Sequence, residues 1–119
     1  MMSGVTENMT VATLKAALRE AKEAAFEAAD HFFKNELGGE DKFACGFAWV
    51  DIHGIKGNTK LGRAMKEAGF GKSYTGSYQV WNPSEYGCQN VDTLEAGARA
   101  AADVFKKYGL RAYAGSRLD

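Results

Sequence analysis

Apolar side chains recur at helical spacing along the first third of the chain. Between about Thr10 and Leu37 they fall on one side of a helix, at Leu14, Leu18, Ala21, Ala25, Ala28 and Phe32. Gly38 and Gly39 then end the pattern. A straight helix of this length would run roughly 40 Å, which exceeds the width of so small a domain. We therefore expect the helix either to break or to pack part of its Ala/Phe face on another subunit.

The next apolar segment, residues 43–52, alternates as a β-strand does. One face carries Phe43, Cys45, Phe47 and Trp49, and the other carries Ala44, Ala48, Val50 and Ile52. Because both faces are apolar, we predict a central strand that is covered on both sides. Gly46 would allow another group to approach this strand closely.

A short helix and a second strand follow. Asn58 or Thr59 can cap the first turn of a helix over about residues 59–68, and Gly69 suits its left-handed C-terminal position. Residues 74–81 end in YQVW and predict the second strand. The loop 82–90 comes next.

The last third of the chain predicts a helix and a final strand. Asp92 and Glu95 form a capping-box pattern, which predicts a helix from Asp92 to Tyr108 that ends at Gly109. Residues 110–115 then form a strand. Its inward face carries Leu110, Ala112 and Ala114, and its opposite face carries Arg111 and Tyr113.

The predicted order is α-β-α-β-α-β in one small domain of 119 residues, with residues 1–9 flexible. A long N-terminal helix precedes a three-stranded sheet with two further helices. The sheet is either parallel (α/β) or antiparallel (α+β). In a parallel sheet, residues 53–60 and 81–91 would meet at one edge, beyond the carboxyl ends of the strands.

Composition narrows the range of partners. Fifteen basic residues balance fifteen acidic ones, so the net charge is zero and duplex nucleic acid is not an expected partner. A small anionic ligand remains open, because a few placed cations suffice. No apolar run approaches the roughly 18 residues of a membrane helix, and the N-terminus lacks a secretory signal. We predict a cytoplasmic protein with no membrane partner, in which Cys45 and Cys88 are reduced.

Two cations mark the predicted second helix as a phosphate site. Lys60 and Arg63 lie beside free backbone amides at its N-terminus, an arrangement that suits an anion. The segment GIKGNTK lacks the spacing of a Walker motif. The alternative interpretation is an ordinary solvated helix face.

Aromatic and amide side chains gather around the loop 82–90. Flat surfaces on which a base could stack come from Tyr74, Tyr78, Trp81, Tyr86 and Tyr113. Donors and acceptors for a base edge come from Asn82, Gln89 and Asn90. The alternative is that Trp81 and Tyr113 belong to the core or to an interface. Arg117, near the C-terminus, could reach a phosphate or a neighbouring subunit.

Catalytic chemistry has little support in the sequence. A cysteine with His31 or His53 could form a nucleophile and base, but Cys45 lies in an apolar strand and no motif surrounds either thiol. The cysteines and histidines lack zinc-site spacing. Asp51, Glu85 and Asp92 could act as bases, yet no carboxylate pair is fixed by spacing. We predict no catalytic residue, no metal and no cofactor, and hence not an enzyme.

Four sequence blocks carry a resemblance: CGFAWV, GNTKLGRAMKEAGF, VWNP and LEAGARAAADVFKKYGLRAYAGSRLD. They resemble a widespread group of small bacteriophage proteins, over about residues 43–119. The group is in turn similar to the phage anti-CBASS sponge family, whose members bind cyclic dinucleotides of bacterial immunity, sequester them without cleavage and form oligomers. The resemblance implies a ligand class and a homo-oligomer in the infected host cell. It assigns no ligand residue to a position of this chain.

Three hypotheses follow. The first is a nucleotide sponge that binds through Lys60, Arg63, Tyr78, Trp81, Asn82, Tyr86, Gln89 and Arg117. The second is a phage interaction or accessory structural protein that uses the same aromatic surface against a protein partner. The third is a nucleotide-processing enzyme.

Overall fold

Three helices and four strands make up the described part of the fold. The computed structural model describes residues 9–41, 44–73 and 76–119. The helices are α1 (Val11–Glu36), α2 (Lys60–Ala68) and α3 (Val91–Lys107). The strands are β1 (Gly46–His53), β2 (Gly71–Lys72), β3 (Tyr78–Trp81) and β4 (Arg111–Leu118).

The strands form one antiparallel sheet in the order β2-β3-β1-β4. This confirms the α+β prediction, and the parallel alternative is wrong. The three predicted strands become four, because Gly71–Lys72 pairs with the start of β3. From β1 to β4 the connectivity is β-α-β-β-α-β, the split βαβ or ferredoxin-like arrangement, with α1 added at its N-terminal side.

Helix α1 runs unbroken for 26 residues, or about 39 Å. Thr10 caps it by accepting a hydrogen bond from the Thr13 amide. Its buried residues are Leu14, Ala17, Ala21, Ala25 and Ala29, and the main partner of α1 is α3. The molecule is 44 Å long, so one chain accommodates the helix. The Ala face is buried within the chain, and self-association through α1 stays a prediction.

The caps of α2 follow the prediction, whereas the start of α3 differs. Thr59 caps α2, and Gly69 ends it in the left-handed conformation with φ 111°. Helix α3 begins one residue before Asp92, and its N-cap is Asn90, whose side chain accepts from the Thr93 amide. The capping box on Asp92 and Glu95 is therefore wrong. Glu95 instead accepts a hydrogen bond from the Ser116 hydroxyl, across to β4.

The helices of the described residues cover one face of the sheet. Along β1, Gly46, Ala48, Val50 and Ile52 are buried, while the residues between them are half-buried and His53 is exposed. The hydrophobic core lies between the buried face and the three helices. The prediction that β1 is covered on both sides is thus wrong. No helix of the described residues covers the apolar face that carries Phe47 and Trp49, and we call this the open face.

Some predicted features fall on residues that the structure does not describe, and others differ from what it shows. Residues 1–8, Phe43 in the predicted first strand, and Tyr74 and Thr75 in the second lie outside them. Met9, expected in a flexible segment, is buried. The predicted last strand extends beyond residue 115 to Leu118. Among the helices of the described ranges, none has the length and apolar character needed to span a bilayer.

Candidate ligand-binding site

Antiparallel pairing separates the two segments that were expected to converge. Ile52, near the end of β1, pairs with Tyr78 at the start of β3, and Trp81 at the end of β3 pairs with Trp49. The chain therefore leaves β1 and β3 in opposite directions. Residues 53–60 and 81–91 follow opposite ends of the sheet, so one edge does not combine them as the parallel alternative required.

Lys60 and Arg63 belong to the end of the sheet where β1 finishes. Both side chains are exposed, and Arg63 Nη1 donates to the Asn58 carbonyl at 2.8 Å. Lys60 borders a surface cavity of about 400 Å³ beside Gly54 and Thr59. The two cations belong to α2, which follows the Ile52–Tyr78 end of the β1–β3 pair, whereas Trp81 lies at the other end. They match the solvated-face interpretation.

Tyr78 is a structural residue. It is only 2% exposed, and its hydroxyl donates to the Gly62 carbonyl at 2.8 Å. The Lys72 ammonium lies 5.0 Å from the ring centroid. The ring is therefore enclosed by its own chain and offers no free face for stacking.

Tyr86 fastens the loop 82–90 to α1. Its ring centroid lies 5.4 Å from that of Phe26 and 5.5 Å from that of Phe33, and its hydroxyl donates to Asp30 at 2.6 Å. The hydrogen bond to the Asp30 carboxylate, with burial, raises the pKa of Tyr86 to about 12. The same bond, with that from Lys34, lowers the pKa of Asp30. Tyr86 is thus directed to the helical side of the molecule.

The loop amides Asn82 and Gln89 shape the backbone. Asn82 has a positive φ of 44°, and its backbone N–H donates to the Ala48 carbonyl at 2.9 Å. The backbone carbonyl of Gln89 accepts from the Gly46 N–H, and the backbone N–H of Gln89 donates to the Asp41 carboxylate. Both residues therefore tie the loop to the start of β1, although the side chain of Gln89 is exposed.

The open face of the sheet holds a continuous row of π systems. Trp49 and Trp81 stack with their planes 2° apart and their centroids 5.4 Å apart. Phe47 lies 5.8 Å from Trp81, and the Arg117 guanidinium lies 5.2 Å from the Phe47 ring. We call Phe47, Trp49, Trp81 and Arg117 the aromatic row. Trp81 is 51% exposed, so a flat ligand has access to it.

Gly115 makes room for the aromatic row. It pairs with Trp49 in the β1–β4 register. A Cβ atom at this position would lie 2.7 Å from two atoms of the Trp49 ring, which is too close for any side chain. The indole of Trp49 therefore rests against the β4 backbone, with Trp81 stacked on it.

A second aromatic group lies farther along the same face. Tyr113 is 50% exposed, and its ring centroid lies 5.4 Å from that of His53. Asp51 sits between Gln79 and Tyr113 in the strand register. Its carboxylate accepts from Trp49 Nε1 at 3.0 Å and from Gln79 Nε2 at 3.1 Å. The face therefore offers two places for stacking, with an acceptor between them.

Of the predicted site residues, only Trp81 and Arg117 come together. Sequence reasoning noted Phe47 and Trp49 but assigned them to a covered face, and it missed Gly115. Their alternation with Ala48 and Val50 was visible in the sequence. The missing information was which face the helices cover, and that depends on tertiary packing.

The remaining reactive groups lie apart from the aromatic row. Cys45 is exposed and precedes β1, so placing it inside an apolar strand was wrong. Cys88 is half-buried, and desolvation raises the pKa of its thiol. Both cysteines are free. In the described part of the chain, no group of three or more His, Cys, Asp or Glu residues could hold a metal ion.

Comparisons with protein-family models, with curated proteins and with solved structures found no match to this chain.

Proposed function

We propose that the protein binds a small nucleotide with two bases, of the cyclic dinucleotide class, on the open face of its sheet. The bound ligand is held and not cleaved. The observation that carries this proposal is the stacked pair of Trp49 and Trp81, of which Trp81 is 51% exposed. The pair lies on the two central strands, on the face that no helix of the described residues covers.

Stacking supplies the main attraction. A base that stacks on an aromatic side chain typically gains about 1 to 3 kcal/mol. Aromatic side chains on a four-stranded sheet serve this purpose in RNA-binding modules of the same connectivity. Trp81 and the Tyr113–His53 group provide separate surfaces for two bases. Two strand spacings and two residues separate Trp81 from Tyr113, or about 12 Å between Cα atoms.

Cations at both ends of this face favour the phosphates. Arg117, near the end of β4, lies against Phe47. Arg111, at the start of β4, is opposite His53 in the strand register. Few cations are involved, and the net charge of the chain is zero. This balance favours a small anion over a nucleic-acid duplex.

The biological setting in this proposal comes from the resemblance to small phage proteins. There the protein acts in the cytoplasm of the infected host, where it sequesters a nucleotide signal of bacterial immunity. Homo-oligomerisation remains part of the proposal, and Phe26 on α1, which is 49% exposed, is one apolar side chain available for it.

The test is thermal melting of the protein with cyclic dinucleotides, cyclic trinucleotides and mononucleotides. A ligand that binds only the folded state raises the melting temperature. Trp81→Ala should weaken binding by roughly 5- to 150-fold, the equivalent of one lost stacking contact. Arg63 lies on α2, away from the aromatic row, so Arg63→Ala is the control and should bind normally. Equal binding by wild type and Trp81→Ala would refute the site.

Recovery of the ligand separates sequestration from turnover. After heat denaturation of the complex, a sponge releases the ligand unchanged, whereas a nucleotide-processing enzyme releases a product. Intact ligand therefore supports the proposal, and a hydrolysed or transferred product would contradict it.

A protein partner is the second candidate for the same face. Trp81 and Tyr113 are each at least 50% exposed, and such exposure of large apolar side chains also marks protein interfaces. On this alternative, no nucleotide shifts the melting temperature. Trp81→Ala would then abolish capture of a phage or host protein.

A further inference from the structure

We propose that Asp51 makes the site selective for guanine over adenine. This inference rests on the proposed nucleotide binding and specifies which base the site accepts. It is carried by the position of one carboxylate in the middle of the aromatic face, together with the two neutral donors that hold it.

Two side chains fix the Asp51 carboxylate in one orientation. Trp49 Nε1 donates to Oδ2 at 3.0 Å, and Gln79 Nε2 donates to Oδ1 at 3.1 Å. Trp49 lies on β1, as Asp51 does, and Gln79 lies on the neighbouring strand β3, so both donors approach along the sheet surface. Each oxygen is thereby held with one bond, and the carboxylate cannot rotate without losing both.

The carboxylate keeps acceptor capacity for a ligand. An ionised carboxylate has about four lone-pair positions, and these two bonds occupy only two of them. No lysine or arginine of the described residues forms an ion pair with Asp51. No cationic side chain among them therefore neutralises the Asp51 carboxylate. A ligand that presents two N–H donors suits its remaining acceptor positions.

Guanine is the base that presents two adjacent donors on one edge. Its N1–H and its exocyclic amino group can meet the two oxygens of a carboxylate in parallel. Adenine offers one amino donor beside the N1 lone pair, which would face the negative charge. Cytosine also offers one amino group, and uracil one N–H between two carbonyls. A bidentate pair typically discriminates against the wrong base by about 5- to 150-fold.

The surrounding aromatic groups bring a base edge within reach. Asp51 lies two residues along β1 from Trp49, and its neighbour on β4 is Tyr113. A base stacked on either aromatic group thus has the carboxylate beside it. The negative charge also keeps phosphates away from the centre of the face and directs them toward Arg117 and Arg111 at its ends.

The experiment measures affinities of the full chain for cyclic diguanylate and cyclic diadenylate by titration calorimetry. Wild type should bind the guanine ligand more tightly by about 5- to 150-fold. The inosine analogue, which lacks the exocyclic amino group, should fall between them. Asp51→Asn exchanges one acceptor oxygen for a donor, and it should bring the two affinities close to each other.

Trp49→Phe is the control for an indirect effect. It removes the indole N–H that orients Asp51 but keeps an aromatic ring and the carboxylate. This variant should keep a smaller preference for guanine, because Gln79 still holds Oδ1, even if both affinities fall. A melting curve for each variant establishes that it is folded.

The outcomes distinguish the two proposals. If neither ligand binds wild type, the proposed function itself fails. If both bind equally, or if adenine is preferred, nucleotide binding stands and the role of Asp51 is overturned. An unchanged guanine preference in folded Asp51→Asn would also overturn it.

Discussion

Replacing Asn90 by alanine tests the observed start of α3. Asn90 is 0% exposed, and its Oδ1 accepts from the Thr93 amide at 2.8 Å and from the Thr93 hydroxyl at 2.9 Å. The same residue joins two parts of the chain, because its neighbours Gln89 and Val91 pair with residues 44–46 before and at the start of β1. Asn90→Ala would leave the first turn of α3 without its cap in a buried place.

The cost is worked out from the two bonds to Thr93. Loss of an N-cap side chain typically costs about 0.5 to 2 kcal/mol. The hydroxyl of Thr93, also 0% exposed, would lose its acceptor, which adds about 1 to 3 kcal/mol. We expect a fall in the free energy of unfolding of about 1.5 to 5 kcal/mol. For a domain of this size that lowers the melting temperature by about 10 °C.

Urea unfolding, followed by circular dichroism, measures this change. The matched control is Asp92→Ala, because Asp92 is exposed and makes no capping bond; only its favourable charge in the first turn is lost. That control should cost less than about 1 kcal/mol. If Asp92→Ala destabilised the protein as much as Asn90→Ala, the capping box of the sequence analysis would be right and our assignment wrong.

Two further predictions concern the aromatic row and the loop. Gly115→Ala should displace the Trp49 ring, alter the near-ultraviolet circular dichroism of the tryptophan pair and weaken nucleotide binding; Gly87→Ala, whose added Cβ would contact nothing within 4 Å, should do neither. Tyr86→Phe should lower the melting temperature without changing nucleotide affinity. Because the folded-state pKa of Tyr86 is raised to about 12 from 10.0, its contribution is complete below pH 10 and is lost as the pH rises toward 12. The lowered pKa of Asp30 adds a loss at the acid end, below its ordinary value of 3.8. Thermal melting of wild type and of Tyr86→Phe, from acid to alkaline pH, should therefore show the difference in melting temperature narrowing at both extremes. A difference that stays constant with pH would contradict the role of the Tyr86–Asp30 bond.

Local signals in the sequence determined most elements of the fold. The helical spacing of small apolar residues specified α1, and Thr59 and Gly69 marked both ends of α2. Alternation specified β1 and the inward side of β4. These features depend on backbone conformation and on neighbours within a few residues, so they can be recognised in the chain alone. The short strand β2 has only two residues, Gly71 and Lys72, and it exists through its pairing with β3.

Tertiary structure decided which of these residues form a site. Both faces of β1 are apolar in sequence, and only the packing of α3 and its neighbours on one side leaves Phe47 and Trp49 open. Antiparallel pairing then brings Trp81 beside Trp49 and carries Lys60 away from it. It also places Gln79 next to Asp51, across 28 positions of the chain. Contacts of this kind depend on how distant segments meet, and local propensity does not contain that information.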